Sequence, residues 1–355
     1  MGPGPLHQLQ RTLHLHAGPH KTASTYLQAR LQANRPRLDA QGLRYPTPWG
    51  ELSHRNLARA LQRGDMAPLE RVLQRQWRWN GDLLLSAEHF VPLVADADAL
   101  AGLQEVCGRW GFGLHVISFV RPQADLINSF YAHGLGRLYG TPTFPAYVRT
   151  QLAGRRLRGA LRRRWIHMAP LALDFDQRFR VLLAAAGLRT SFLPFVPRRR
   201  DPFDQLCEGL GLPPGSWRAA PASEANEQLG RRGVGLAFLL NTELDSLPVK
   251  RNRLIADHGL NRLVERLRHL ARARGWVGDR FNGWQGRLPD LLQERLGASN
   301  ERFARQVWGQ NWGEVFPPAG QAAGAARGLA LDQELRDEAR ELFLAYRRRL
   351  PRTLR

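Results

Sequence analysis

Cysteine and lysine are nearly missing from this chain. Its 355 residues include 2 cysteines, Cys107 and Cys207. Two such separated thiols exclude a disulfide framework and a cysteine-rich metal cluster. Long apolar runs are missing too, so no segment reads as a membrane-spanning helix. The opening Met1-Gly2-Pro3-Gly4-Pro5-Leu6 has no apolar core and no small-residue cleavage site, and it does not read as a signal peptide. Leu6 stands where a myristoylation pattern has Ser or Thr. Together these absences lead to the expectation of a cytoplasmic protein.

Hydrophobic residues make up 43% of the chain, enough for a sizeable core. The formal net charge is +21. Lysine occurs at positions 21 and 250 alone, so almost all of that charge is arginine. Such a charge suits anionic partners: a phosphorylated cofactor, an acidic glycan, nucleic acid or a membrane surface. An Arg-over-Lys, Ala/Gly-rich bias is also what a GC-rich genome produces without any such partner. Under either reading, a lysine inside a motif stands out.

Strand-like and helical segments alternate through the first two hundred residues. Arg11 to Ala17 alternates like a strand, Gly18-Pro19 breaks it, and a helical pattern starts at Thr22. Gly42 to Pro46 reads as a short extended segment, followed by helical stretches near 54–63 and 66–78. Asp82-Leu83-Leu84-Leu85-Ser86 is the short apolar run of a strand buried on both faces. A helix near 97–110 precedes His115 to Val120, the strongest strand signal. Another helix starts just past Arg121-Pro122, with proline early, where helices accept it. Asp174 to Ala186 reads as one helix stopped by Gly187, and Arg189 to Phe195 as a strand. From about 202 onward the pattern is nearly all helical, with loops at Pro213-Pro214-Gly215 and Pro317-Pro318. The last helix, about 332–349, puts Leu335, Ala339, Leu342, Phe343 and Tyr346 on one stripe. The expected fold is α/β: a parallel sheet flanked by helices, with a largely helical C-terminal part. One domain is expected over 1–355, with an α/β core at 11–200 and the helical part at 201–355 packed on it.

The stretch from Leu13 to Gln28 is a strand, a tight turn and a helix whose first turn is rich in hydroxyls. A helix start of this kind is an anion site, because its first N–H groups lack intrahelical partners and the dipole favours negative charge. Lys21 adds a point charge, and Thr22, Ser24 and Thr25 bring hydroxyl donors. A plain strand-to-helix turn capped by hydroxyls is the structural alternative. The nucleoside-triphosphate loop Gly-x-x-x-x-Gly-Lys-Ser/Thr does not fit, since Gly18 lies three residues before Lys21 and Ala23 follows it. The stretch His20-Lys21-Thr22-Ala23-Ser24-Thr25 instead resembles the 5′-phosphosulfate loop of the PAPS-dependent sulfotransferase family. That family typically reads Pro-Lys-x-Gly-Thr-Thr or His-Lys-Thr-Gly-Thr-Thr. Ala23 stands here in place of the glycine, and Ser24 keeps a hydroxyl at a threonine position.

The resemblance continues at the end of the strongest strand. Sulfotransferases place an arginine there and a serine eight residues on, both against the 3′-phosphate of the donor; Arg121 and Ser129 match that spacing. An arginine fork suits the extra phosphate that distinguishes this donor. Asp82 to Phe90 looks like the family's middle strand, which ends at the substrate site, and Glu224 to Glu227 and Ser299 to Phe303 resemble helical segments of bacterial members. The similarity covers most of 11–310. The C-terminal glycine–lysine donor motif of the cytosolic branch is not evident.

The resemblance implies a P-loop-type sheet with a nucleotide-binding core at 11–200, PAPS as donor, PAP as product, and an acceptor hydroxyl or amine on a small molecule or glycan. Sulfuryl transfer needs an acceptor placed in line and charge neutralised on the leaving group. Lys21 is the residue expected to stabilise the departing phosphate oxygen. His20, Lys21, Thr22, Ala23, Ser24 and Thr25 form the 5′-phosphate loop, and the family's base is a Glu or a His. Glu88 ranks first for that base, then His54, then His89; each has a structural alternative, as an arginine partner or a helix-start residue. His14, His16 and His20 make no metal set by themselves, and the chemistry requires no metal. The basic runs Arg155-Arg156-Leu157-Arg158, Arg162 to Arg164 and Arg198 to Arg200 suit an acidic acceptor's path or simple solvated faces. No specific nucleic-acid signature appears. The alternatives are a nucleotide-dependent kinase, a basic nucleic-acid-binding protein, and a sulfotransferase homologue that binds donor without turning it over. The oligomeric state is not readable.

Overall fold

The computed structural model describes residues 11–48, 50–140, 142–154, 171–196, 200–213, 215, 217–219, 229–249, 251–255, 258–317 and 328–351. Outside them lie the Met1 to Leu6 opening, Lys250, Pro214, Pro318, Glu224 to Glu227, the basic runs at 155–158 and 162–164, and Arg198 and Arg199.

Five strands form one sheet: β1 (Arg11–His16), β2 (Leu43–Arg44), β3 (Asp82–Ser86), β4 (Phe112–Val120) and β5 (Arg189–Pro194), in the order β2-β3-β1-β4-β5. Every pairing is parallel, with Leu13 opposite Leu83 and Leu114, and His16 opposite Ser86 and Ile117. Parallel strands are covered on both faces, and the apolar residues sort accordingly. Leu13, Leu15, Leu83, Leu85 and Val116 join one core cluster with Leu100, Leu103 and Phe303. Leu84, Ile117 and Phe119 join the other, with Leu27 and Leu31 of the Ser24–Ala33 helix and Phe203 and Leu206. The parallel α/β sheet expected from the alternating segments is the one found, and the C-terminal region is largely helical.

Because strand side chains alternate, the residues between Leu13 and Leu15 and after them, His14 and His16, point away from the leucines. Both are buried, and polar partners offset part of that cost, though His16 Nε2 finds none among the described residues. The two His14 ring nitrogens face Asp82 Oδ2 at 3.2 Å and His115 Nδ1 at 2.8 Å, and His115 Nε2 faces Ser191 Oγ at 2.9 Å. One polar line thus crosses four adjacent strands.

The chain divides into two compact units. The first comprises Met1–Pro122, Asp174–Glu224 and Ser299–Pro317 and contains the whole sheet. Its Ser24–Ala33 helix is tied down by Tyr26 and Arg30, which both donate to Asp201 Oδ2, at 2.6 and 3.1 Å. The second comprises Gln123–Leu173, Ala225–Ala298 and Pro318–Arg355, and its described elements are helical. Its core gathers Leu126, Ile127, Leu236, Leu240, Leu267 and Leu335, with Tyr131, Phe144 and Phe281 packed ring against ring. The buried Asn241 amide donates to the Leu135 and Ala237 carbonyls and accepts from Gly140 N–H. Among the described residues, no helix is long and apolar enough to cross a membrane.

One helix differs from the sequence reading. Asp174 to Ala186 is two short helices, Phe175–Arg178 and Arg180–Ala184, broken at Phe179. The Phe179 ring packs on Phe175, Phe192 and Phe303. Aromatic burial at this point outweighs helical continuity.

Candidate functional site

In an open parallel sheet, ligands bind beyond the carboxyl ends of the strands, where the strand order changes direction. Here the chain leaves β1 toward β2 and β3 on one side, then crosses to β4 and β5 on the other. The loop after β1 therefore lies between the ends of β3 and β4, and the backbone fixes it to both. Ala87 N–H donates to the His16 carbonyl, Ala17 N–H to Ile117 and Phe119 N–H to Gly18.

Gly18 is required at this point. Its φ is +73°, and a Cβ added to it would lie 2.8 Å from Glu88 Cα. The missing side chain lets the loop abut the residue that follows β3. Lys21 and Ala23 also have left-handed backbones, with φ of 70° and 61°. Ala23 opens the Ser24–Ala33 helix, and no side chain caps it.

Two of the three hydroxyls expected to face a phosphate turn inward instead. Thr22 is fully buried and donates to the Pro19 carbonyl at 2.6 Å, while Ser24 approaches the same carbonyl at 3.4 Å. Thr25 is exposed. Thr22 and Ser24 thus brace the turn from within, and Thr25 is the hydroxyl turned to solvent.

Lys21 and Arg121, one hundred residues apart, meet: Arg121 Nη1 donates to the Lys21 carbonyl at 2.6 Å. The Arg121 guanidinium carbon lies 5.5 Å from the Phe195 ring centroid. Ser129 is half-buried on the Gln123–Gly136 helix, in the second unit.

Glu88 sits opposite Gly18 with a largely buried side chain. Burial pushes its carboxyl upward, but its own backbone N–H, the charges of His20 and His89 and the Gln28 amide outweigh that and hold it below the ordinary value. It is therefore ionised at neutral pH. His20 and His89 are both held below the ordinary histidine value, by partial burial first, against the opposing pull of Glu88. The two Nδ1 atoms each lie 3.7 Å from Glu88 Oε1, and the rings meet edge to face at 5.1 Å.

His54 lies deeper. Ser86 N–H donates to its Nδ1 at 3.1 Å, and its Nε2 faces the Pro46 carbonyl at 3.3 Å. Nδ1 is thus the acceptor and Nε2 carries the proton. Burial pushes its pKa down to about 4. Both ring nitrogens are occupied in holding the Pro46 turn to the end of β3.

Sequence reasoning missed the polar groups beneath the loop. Gln28 Nε2 reaches Glu88 Oε2 and Ser86 Oγ, each at 3.4 Å, and His16 Nδ1 meets Ser86 Oγ at 2.7 Å. The signal for Gln28 was its place four residues after Ser24, on one helix face. The pairings with Ser86 and Glu88 had no local signal.

What the arrangement offers is an uncapped helix start beside a lysine, an arginine at the next strand end and an ionised carboxylate packed against Gly18. This suits anion binding and proton acceptance. No family model, curated protein or solved structure matches the chain.

Proposed function

We propose that this chain is a sulfotransferase, moving a sulfuryl group from PAPS to a hydroxyl or amine of a carbohydrate or other glycoconjugate. The observation that carries the reading is the 2.6 Å hydrogen bond from Arg121 to the Lys21 carbonyl. It joins the two cationic residues of the family resemblance at the sheet's switch point. The turn also fits a phosphate. Ala23 leaves the first N–H groups of the helix without a side-chain cap, and Thr25 is open to solvent.

When bound, the donor supplies the sulfuryl group and leaves as PAP. Lys21 and the helix start hold the 5′-phosphate, and Lys21 offsets the charge that grows on the bridging oxygen as the sulfur–oxygen bond breaks. Arg121 presents its fork to the 3′-phosphate and keeps the Lys21 backbone in place. Glu88, ionised, takes the acceptor's proton as the new bond to sulfur forms. Gln28 orients that carboxylate from behind.

The test is transfer of labelled sulfate from PAPS to a panel of glycans and amines. Glu88→Gln should lower turnover by about 10²-fold, the scale of general-base loss, and Lys21→Ala by about 10²–10³-fold. Absence of transfer to every acceptor, or full turnover in Lys21→Ala, would contradict the proposal.

A further inference from the structure

We infer that His20, Glu88 and His89 form a binding site for a divalent transition-metal ion of the zinc or cobalt kind, with one coordination position left open. One ligand atom from each of the three residues lies within 4.8 Å of the other two. Both histidine Nδ1 atoms lie 3.7 Å from the same oxygen, Glu88 Oε1. That separation is too long for a hydrogen bond, so no proton is shared along either edge. It is close to the edge of a tetrahedral zinc site, about 3.3 Å for metal–ligand bonds of about 2.0–2.1 Å. His89 Nδ1 is buried and finds no hydrogen-bond partner among the described residues. A cation placed between a buried ring nitrogen and a carboxylate oxygen would satisfy both.

The carboxylate is also held for this role. Gln28 Nε2 lies 3.4 Å from Oε2, leaving Oε1 to face the two rings. The bare Gly18 packs on the Glu88 backbone from the other side. Outer contacts of this kind orient a ligand before the metal arrives. Two imidazoles and one carboxylate select zinc, cobalt or nickel over magnesium or calcium, which prefer oxygen throughout. Three protein ligands are the pattern of a site with an open fourth position. Arg55 and Arg59 act electrostatically on His89, as Lys21 and Arg178 do on His20. These positive neighbours weaken cation binding and draw an anion to the open position.

A bound metal occupies the Glu88 oxygen that the proposed transfer uses as its base, so the two roles belong to the metal-bound and metal-free forms. The test uses the metal alone, and its outcome is separate from that of sulfuryl transfer. Titrating the full chain with Co2+ should develop the visible absorption of a four- or five-coordinate ion at one equivalent, and Zn2+ should displace it. His20→Ala and His89→Ala should each weaken binding at least tenfold, and the double variant should abolish the band. His20 is half-exposed, so its variant keeps the fold even where His89→Ala does not. No absorption at stoichiometric Co2+, or a band unchanged in His20→Ala, would overturn the inference.

Discussion

Ala23 holds φ 61° and ψ 22°, a left-handed backbone that brings its Cβ against the neighbouring carbonyl. The strain costs roughly 1–2 kcal/mol, offset in part by the roughly 0.5–1 kcal/mol that a glycine loses to extra freedom in the unfolded chain. Ala23→Gly should therefore raise the unfolding free energy by up to about 1 kcal/mol, read by urea denaturation; a loss of stability would argue against the backbone described. Gly18→Ala should act in the opposite sense, because its new Cβ would meet both Glu88 Cα and Cβ. Arg121 donates to the Lys21 carbonyl, and the proposed function gives it a second task, holding the 3′-phosphate of the donor. Arg121→Ala should raise the donor KM about ten- to a hundredfold, the value of one charge-assisted hydrogen bond. Its kcat should fall as well, though less than that of Lys21→Ala, whose charge acts on the bond that breaks. Steady-state kinetics with varied PAPS separates the two: an unchanged KM in Arg121→Ala would remove it from the donor site.

Element by element, periodicity was the reliable signal. The helix Gln333–Arg349 buries Leu335, Ala339, Leu342, Phe343 and Tyr346, the stripe its sequence displays, and Asp332 caps it by accepting from Leu335 N–H at 3.0 Å. Leu342→Ala should destabilise by about 2–5 kcal/mol and Asp332→Ala by about 1 kcal/mol, each read by thermal unfolding. β3 was legible as a short apolar run because both its faces are buried. The break at Phe179 was not, since an aromatic cluster drawn from distant segments decides it. The same divide runs through the site. Lys21 and Arg121, which the structure brings together, each follow a strand with a strong local pattern. The roles of Gln28, Ser86 and His16 were not legible, because their partners lie across the sheet. Thr22 shows a third case: its residue type suits a phosphate, but its rotamer sends the hydroxyl to Pro19.

For the whole molecule, two buried histidines tie stability to pH. His16 and His54 are pushed down to about 4 by burial, against an ordinary value of 6.5. The unfolded chain therefore binds more protons between those values, and the stabilisation they provide is complete above 6.5 and lost as pH falls toward 4. Each contributes on the order of 1–3 kcal/mol, so urea midpoints should fall steadily from pH 7 to pH 4; a flat profile would mean the rings are not buried as neutral groups. The proposed donor binding can be read through the fold, since a ligand that binds only the native state raises stability by about 2.7 kcal/mol at a hundred times its Kd. PAP and AMP share the 5′-phosphate and differ by the 3′-phosphate assigned to Arg121. The decisive measurement is the unfolding midpoint with each nucleotide at equal concentration, on the natural chain and on Arg121→Ala. PAP should stabilise the natural chain well beyond AMP, and that difference should disappear in Arg121→Ala; equal shifts from the two nucleotides on the natural chain would contradict the sulfotransferase reading.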